Sequence, residues 1–315
     1  MEKIFEAESV KSLILNEELH ETPVFHLFGN YFLQNEICCV FGDSNTGKTI
    51  LCNDIALSIS GGKCWWPEKM SDVMEIVLNF DYELSKLQVA RRYLGSSKFI
   101  PDTFERVELN KTSLAVGEEL FDAMVNYIMG SQAKPNPPKV IIIDNLTYLM
   151  NSVTNAAHSL RIMKELKKLK NAYNLSFILV AHCPKRKKDK PITQDDLGGS
   201  KMIMNFCDSA IAIGTSIWDE DTRYIKHIKA RGVEKKAKVD TIELQREPYL
   251  HFEYVGENDE SEHLSLKMKL SSLTPDEEAD IIELREDYDM SIREIAKKLG
   301  LSKSVVGRFV KNMGL

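Results

Sequence analysis

Residues 36–49 read EICCVFGDSNTGKT, and this stretch decides the fold. Residues 36–41 are mostly apolar and predict a short buried strand, whereas the pattern from residue 48 to residue 60 predicts a helix. Between them, residues 42–49 fit the pattern G-x-x-x-x-G-K-[ST]. A strand, a glycine-rich turn and a helix in this order predict a loop whose backbone N–H groups surround a phosphate at the positive end of the helix.

The side chains of this loop suit a triphosphate with its metal ion. Lys48 can reach the β- and γ-phosphates, and Thr49 can supply a hydroxyl to Mg²⁺. The sequence therefore predicts ATP and Mg²⁺ as cofactors. The expected nucleotide contacts are Gly42, Asp43, Ser44, Asn45, Thr46, Gly47, Lys48, Thr49 and Ile50.

The rest of the chain predicts two domains. Continuous apolar strands separated by helices are typical of a mostly parallel sheet that is covered on both faces. From residue 208, four closely spaced apolar stretches without intervening helices predict antiparallel strands at one edge of that sheet. The acidic stretch GENDESEH at 256–263 indicates a linker. We expect an α/β domain at 1–255, a linker at 256–273 and a small all-α domain at 274–315.

The composition of the chain limits the partners and the cellular location that we expect for the protein. The net charge is −6, which argues against a surface that binds polyanions everywhere but allows local basic patches. No apolar run approaches the roughly 18–20 residues that cross a bilayer, and the N-terminus is acidic. The six cysteines lack the spacing of a zinc site or a disulfide framework. We expect a cytoplasmic protein without a membrane partner.

Two predicted strands end in acidic residues. Asp144 ends KVIIID, and we expect its strand to neighbour that of the phosphate loop, where a carboxylate can hold Mg²⁺ or its water. Glu83 follows another strand within NFDYELS, near the expected γ-phosphate, where it can orient and deprotonate a water. Asp81 is the competing candidate, and the plain alternative is that both are solvated loop acids.

In this order the motifs resemble the RecA-like branch of P-loop ATPases, particularly RepA- and DnaB-type ring helicases, over about residues 20–255. DYELS at 81–85 is similar to the family's D-G-E-M-S-like string, with Glu83 at the catalytic glutamate and Tyr82 in place of the glycine. IIIDN at 141–145 matches the Mg²⁺ aspartate strand. His182, in FILVAHC, matches the polar residue that senses the γ-phosphate, and its alternative is a hydrogen-bonded histidine at a strand end.

The resemblance also implies contacts with nucleic acid and with other subunits. The family's DNA loop in the central channel falls on residues 184–201, where basic side chains and backbone amides suit phosphates of single-stranded DNA. Lys229 and Arg231 match a K-x-R pair that reaches the neighbouring subunit's nucleotide, which implies a homo-oligomer such as a hexameric ring. Both segments are alternatively plain solvated surface. The expected contacts in the loop are Lys185, Arg186, Lys187, Lys188, Gly199, Ser200 and Lys201.

The C-terminal segment resembles the helix-turn-helix of resolvase-type and sigma-like regulators. Thr274 and Ser291 each open a capping box, Gly300 ends a helix, and a last helix runs from Ser302 to Lys311. Residues 291–315 hold six basic residues and one acidic residue, which suits duplex DNA; a module for protein contacts is the alternative. Lys303, Ser304, Gly307, Arg308 and Lys311 are expected to face outward, and all but Gly307 to contact DNA.

These features predict an ATPase that acts as a motor on nucleic acid, a helicase-like replication protein of a plasmid, phage or mobile element. The sequence before the phosphate loop is shorter than the N-terminal domain of DnaB-type helicases, so we expect the smaller RepA-like plan. One alternative is a DNA-binding regulator or loader that ATP controls, with slow hydrolysis and no unwinding. Another is a nucleotide-binding scaffold without a role on DNA.

Overall fold

The computed structural model describes residues 7–21, 23–63, 66, 71–110, 113, 115–150, 156–184, 186–187, 189–197, 201–264, 273–301 and 303–315. The strands are β1 His26–Phe28, β2 Phe32–Leu33, β3 Ile37–Gly42, β4 Val77–Asp81, β5 Phe104–Val107, β6 Val140–Asp144, β7 Ser176–His182, β8 Ser209–Thr215, β9 Thr222–Lys229, β10 Val239–Gln245 and β11 His251–Asn258. The α-helices are α1 Val10–Leu15, α2 Glu17–Glu21, α3 Lys48–Ile59, α4 Lys86–Arg92, α5 Gly117–Ser131, α6 Ala156–Tyr173, α7 Lys201–Phe206, α8 Glu260–Leu264, α9 Pro275–Glu286, α10 Ile292–Leu299 and α11 Lys303–Met313.

Within the described residues, nine strands form one sheet in the order β11-β10-β9-β8-β3-β7-β6-β4-β5. The six strands from β8 to β5 in that order run parallel, and β9, β10 and β11 extend one edge in antiparallel fashion. This mixed sheet confirms the predicted α/β fold. The expectation that β8 is also antiparallel to the main sheet is wrong, because α7 forms a crossover that returns the chain to run parallel to β3.

The position of β6 differs from the prediction. We expected it beside β3, but β7 lies between them and pairs with both. Apolar strands that are buried on both faces look alike in sequence, so their order in the sheet is not encoded locally. The carboxyl ends of all three strands still share one edge.

Apolar packing fixes α3 beneath the loop that precedes it. Leu51, Ile55 and Ile59 on this helix are fully buried against the sheet, and each such side chain stabilises the fold by about 1.5–3 kcal/mol. The helix begins at Lys48, directly after the glycine that ends the loop. The first turn of α3 is therefore held rigidly at the carboxyl edge of the sheet.

The predicted linker is wrong for residues 256–264. The last strand continues to Asn258 and is followed by α8, whose His263 is fully buried. The imidazole lies 3.1 Å from the hydroxyl of Thr241 and 3.0 Å from that of Ser216. These hydrogen bonds compensate the cost of burying the His263 imidazole. The acidic composition of the segment gives no sign that this side chain is buried. Residues 265–272 lie outside the described residues.

The three C-terminal helices form the expected helix-turn-helix. Thr274 and Ser291 each cap a helix with a complete capping box, and Gly300 ends α10 in the left-handed conformation. Ile295 and Phe309 lie in the apolar centre of the unit. None of the helices in the described part of the chain combines the length and apolar character needed to span a membrane.

Candidate functional site

The phosphate loop, residues 43–47, connects β3 to α3 and needs a glycine just before it, Gly42 at the end of β3, and another at its last position, Gly47. A side chain at Gly42 would begin 2.4 Å from the carbonyl oxygen of Ile213, and one at Gly47 would begin 2.6 Å from Cζ of Phe252. Gly47 also has φ +94°, which L-residues rarely adopt. The motif glycines therefore reflect close approach of β8 and β11 to the loop.

Lys48 lies inside this loop. Its side chain is buried, and Nζ donates to the carbonyl oxygens of Gly42 at 3.0 Å and Asp43 at 2.7 Å. Burial lowers the pKa of Lys48, although Cys183 and Asp144 act against this. Charged phosphate oxygens are stronger acceptors than carbonyl oxygens, so this ammonium is placed to exchange onto a phosphate.

Asp144 ends β6 as a buried carboxylate beside the start of α3. Thr49 donates a side-chain hydrogen bond to it, and its Oδ2 has no hydrogen-bond partner among the described residues. Burial raises the pKa of Asp144 to about 7; the Thr49 hydrogen bond opposes this, and the charge of Glu83 adds to it. A partnerless carboxylate oxygen beside a hydroxyl fits Mg²⁺, which takes one or two protein oxygens and completes its shell with water and phosphates.

No group of three or more His, Cys, Asp or Glu side chains in the described residues is arranged to hold a metal by itself.

The two competing acids have different surroundings. Asp81 is buried; its Oδ1 accepts hydrogen bonds from the backbone N–H groups of Glu83 at 3.0 Å and Leu84 at 2.9 Å, and its Oδ2 pairs with Nε of Arg106 at 2.8 Å. Both oxygens of Asp81 therefore shape the turn after β4. The geometry favours Glu83 over Asp81 as the group that meets a water.

Glu83 faces two polar side chains from the neighbouring strand ends. Its Oε1 lies 3.2 Å from Nε2 of His182 and accepts a hydrogen bond from Nδ2 of Asn145. The Glu83 and His182 side chains are each about one-third exposed, at 32% and 34%. The strands β4, β6 and β7 thus bring the predicted base and the predicted γ-phosphate sensor together, with an asparagine that sequence reasoning did not assign to the site.

Arg186 differs from the surface position expected for a nucleic-acid contact. Its side chain is 8% exposed, and its Nε lies 3.3 Å from Oδ2 of Asp43 in the phosphate loop. The reason is electrostatic, because a buried guanidinium needs a counter-charge and Asp43 supplies one. Lys187 is exposed as expected. Lys185, Lys188, Gly199, Ser200 and the side chain of Lys201 lie outside the described residues.

Lys229 and Arg231 do not reach the phosphate loop of their own chain. They follow β9 to the end where β8 begins, which is the opposite edge of the sheet. The Lys229 ammonium donates to the carbonyl oxygen of Met204 at 2.6 Å, and Arg231 pairs with Asp208 at 3.1 Å. Their action on a second subunit stays a prediction.

Arg223 is a site neighbour that the sequence did not reveal. It lies near the start of β9, and its Nε donates to the carbonyl oxygen of Thr46 in the phosphate loop at 3.2 Å. Burial lowers the pKa of this guanidinium. The alternating pattern of its strand gives no sign of the contact, since it depends on how β9 aligns with β8.

The outward orientation predicted for the last helix is wrong at two positions. Lys303 forms an ion pair with Glu243 on β10, and Gly307 is buried against α10. Lys311 is exposed as expected, and its ammonium donates to the carbonyl oxygen of Ile217. The amphipathic pattern separates the apolar face of the helix from its polar face. It does not show that Glu243 on β10 contacts the polar face. The side chains of Ser304 and Arg308 lie outside the described residues.

A phosphate loop after a central strand, an acid at the end of β6 and a mostly parallel sheet define a P-loop ATPase of the RecA-like class, and a DNA-binding helix-turn-helix follows it. The chain belongs to the AAA-domain family, whose model matches residues 8–188, more than half of the chain. A second model, described as winged helix-turn-helix DNA-binding, matches residues 281–314. No curated protein matches the chain. These matches confirm the resemblance to RepA- and DnaB-like ATPases.

Proposed function

We propose that the protein hydrolyses ATP and couples the turnover to work on nucleic acid, as a helicase-like replication motor of a plasmid, phage or mobile element. One observation carries the proposal: Lys48, Asp144, Glu83 and His182 meet at the carboxyl edge of one sheet, in a chain that also has a DNA-binding domain. Ligand sites of open α/β sheets form at this edge.

Different residues of the chain would bind the phosphates and the metal ion. The loop amides and Lys48 hold the phosphates, while Thr49 and Asp144 would hold Mg²⁺. When bound, Mg²⁺ offsets the negative charge that builds up on the transferred phosphoryl group. Arg223 and the ring of Phe252 keep the loop in the conformation that points its amides inward.

Glu83 acts as the general base in this proposal. Its partly exposed carboxylate accepts a proton from the attacking water, a role that contributes about 10²- to 10⁴-fold to a rate. His182 lies within hydrogen-bond reach of Glu83 and starts the loop at 184–201. It would report the state of the γ-phosphate to that loop, which we assign to single-stranded DNA.

Assembly completes the proposal. Lys229 and Arg231 would deliver positive charge to the nucleotide of a neighbouring copy in a homo-oligomer such as a hexameric ring. The helix-turn-helix would bind duplex DNA and bring the motor to its site of action.

A regulator or loader with slow hydrolysis is the second candidate. It is favoured by the ion pair between Lys303, on the last helix, and Glu243 on the ATPase core. Such a contact ties the DNA-binding face to the core, as a protein whose DNA affinity follows its nucleotide state would require.

The experiment that tests the proposal is ATP turnover with and without single-stranded DNA, over a range of protein concentrations. A motor gives turnover that DNA stimulates and that rises more steeply than protein concentration. Lys48→Ala abolishes ATP binding, whereas Lys167→Ala, on the exposed face of α6, serves as the matched control and retains it. Sequence-specific footprints with little turnover support the regulator, and absence of ATP binding by the intact chain refutes both.

A mixing experiment tests the shared site. Arg231→Ala and Lys48→Ala proteins are each inactive in this proposal, but a mixed ring contains sites with an intact Lys48 and an intact Arg231 from its neighbour. Partial recovery of turnover is the expected result. No recovery at any mixing ratio contradicts the intersubunit role.

A further inference from the structure

Asn145 lies at the point where the predicted base and the predicted sensor meet. It follows Asp144 directly at the end of β6 and is 1% exposed. Its Nδ2 donates to Oε1 of Glu83 and lies 2.9 Å from Nε2 of His182. An amide nitrogen carries two hydrogens, which matches these two acceptors.

The orientation of the amide follows from its other contacts. Oδ1 of Asn145 accepts the backbone N–H of Thr147 at 2.9 Å, and it accepts the Thr147 hydroxyl as well. A backbone N–H can only donate, so the atom that faces it must be the amide oxygen. The nitrogen is then directed toward Glu83 and His182.

This arrangement allows two states of the His182 ring, which differ in the nitrogen that carries hydrogen. If Nε2 accepts from Asn145, it is unprotonated, and the hydrogen of a neutral ring lies on Nδ1. If Nε2 instead carries a hydrogen, that hydrogen points to Glu83, 3.2 Å away, and Asn145 serves Glu83 alone. In the first state His182 and Glu83 both accept hydrogen bonds from the Asn145 amide. In the second state a hydrogen lies between Nε2 of His182 and the Glu83 carboxylate.

We propose that Asn145 is a positioning residue that holds the Glu83 carboxylate and the His182 ring as one unit, with Nε2 of His182 unprotonated. The inference rests on the proposed hydrolytic function for its kinetic consequence, but its structural consequence does not. The fixed amide holds the Glu83 carboxylate in one orientation and connects it to the end of β7, so that a displacement of His182 also moves Glu83.

A simpler role for Asn145 is to cap the short 3₁₀ helix at 146–149, and the variants are chosen to separate the two. Asp is as good a cap as Asn because its oxygen still accepts the Thr147 N–H. Asn145→Asp therefore retains the cap while it removes both N–H donors and places a second carboxylate beside Glu83.

Turnover of Asn145→Asp should fall by about 100-fold or more, with the KM for ATP and the Mg²⁺ dependence unchanged within about twofold. Thr147→Val keeps the backbone N–H but loses the hydroxyl that fixes the amide, and its turnover should fall roughly three- to tenfold. Thr103→Val is the control, because it removes a similar hydroxyl bond, 2.7 Å to the carbonyl oxygen of Ser60, far from the site. Thr103→Val should keep full turnover.

Wild-type turnover in Asn145→Asp, or a loss that arises from weaker ATP or Mg²⁺ binding, overturns the inference. Thr147→Val covers the case in which the buried aspartate prevents folding, since it introduces no charge. A Thr147→Val protein that folds and turns over as fast as Thr103→Val also speaks against the role of the amide.

The ¹⁵N NMR signals of the histidine rings provide a readout that needs no turnover. The chain has seven histidines, and His182→Gln assigns the signal of interest. We expect Nε2 of His182 to be unprotonated in the wild type and protonated in Asn145→Asp, where it faces two carboxylates. The same protonation pattern in both proteins refutes the inference. A wild type without turnover refutes the proposed function instead, and leaves this comparison valid.

Discussion

Gly47→Ala tests whether β11 packs directly against the phosphate loop. The new Cβ would lie 2.6 Å from Cζ and 2.9 Å from Cε2 of Phe252, a ring that is 1% exposed and cannot move into solvent. The backbone at this position has φ +94°, which disfavours any L-residue. We expect both effects to destabilise the folded protein.

The two contributions are each a few kcal/mol. The left-handed conformation costs about 1–2 kcal/mol for a residue with a Cβ, and overpacking of a buried ring costs about 1–3 kcal/mol. Gly47→Ala should thus lower the free energy of unfolding by about 2–5 kcal/mol. Because whole domains are stable by about 5–15 kcal/mol, the variant should still fold while its urea midpoint moves visibly.

A double-mutant cycle with Phe252→Leu separates the overlap from the backbone strain. The smaller side chain costs about 1–2 kcal/mol alone, but in the Gly47→Ala background it also relieves the overlap, so the combined loss is smaller than the sum. Gly130→Ala in α5 is the control: nothing lies within 4 Å of its added Cβ, and it should stabilise the protein by about 0.5–1 kcal/mol. A Gly47→Ala cost below about 1 kcal/mol, or strict additivity, would refute the reasoning.

Three further predictions concern the acids of the site and of the sheet edge. Glu83→Gln should bind ATP normally in an equilibrium assay but release phosphate about 10²- to 10⁴-fold more slowly, and fast hydrolysis by this variant would transfer the role of base to Asp81. Asp81→Asn should mainly lower the unfolding free energy, by about 1–3 kcal/mol, since the charge of Asp81 pairs with a partly buried arginine. The pKa of Asp144 is about 7, so Mg²⁺-dependent nucleotide binding should weaken toward tenfold for each pH unit below about 7, because the carboxyl must lose its proton to bind the ion. Without Mg²⁺ the same raised pKa makes the contribution of Asp144 to stability decline as pH rises from about 4 to about 7. Mg²⁺-dependent nucleotide binding that is independent of pH between 6 and 8 would contradict the raised pKa of Asp144, on which both predictions rest. Glu243→Gln should strengthen duplex DNA binding in an anisotropy titration by freeing Lys303, and unchanged affinity at every salt concentration would show that the ion pair does not compete with DNA.

The sequence predicted those features that depend on neighbours along the chain. The phosphate loop, the helix that follows it and the capping boxes at Thr274 and Ser291 are local patterns with a local physical cause. For the same reason the class of fold was accessible, since alternating strands and helices allow few arrangements.

Features that depend on distant partners were not predictable in this way. The preference for Glu83 over Asp81 as the proposed base rests on Arg106, which lies on another strand and pairs with Asp81. The position of β6, two strands away from β3, depends on the packing of the whole sheet. His263 belongs to the core because its imidazole forms hydrogen bonds with the hydroxyls of Thr241 on β10 and Ser216 just after β8, although its own segment is acidic and polar.

The same limit applies to surfaces. Lysines on an amphipathic helix are equally compatible with solvent, DNA or an acidic protein face, and Lys303 contacts the last of these. Arg186 lies in a lysine-rich stretch that indicates exposure, yet it turns inward to Asp43. Charge patterns predict which residues are ionic, whereas the tertiary structure determines their partners.

The antiparallel extension has a practical consequence for fragments of this protein. The family match ends at residue 188, before Ile213, Arg223 and Phe252, each of which lies against the phosphate loop. A shortened polypeptide cut to that match would carry the phosphate loop, Glu83, Asp144 and His182 and still lack the strands that pack against the loop. A truncation intended to fold and bind on its own should retain the chain through α8, at Leu264.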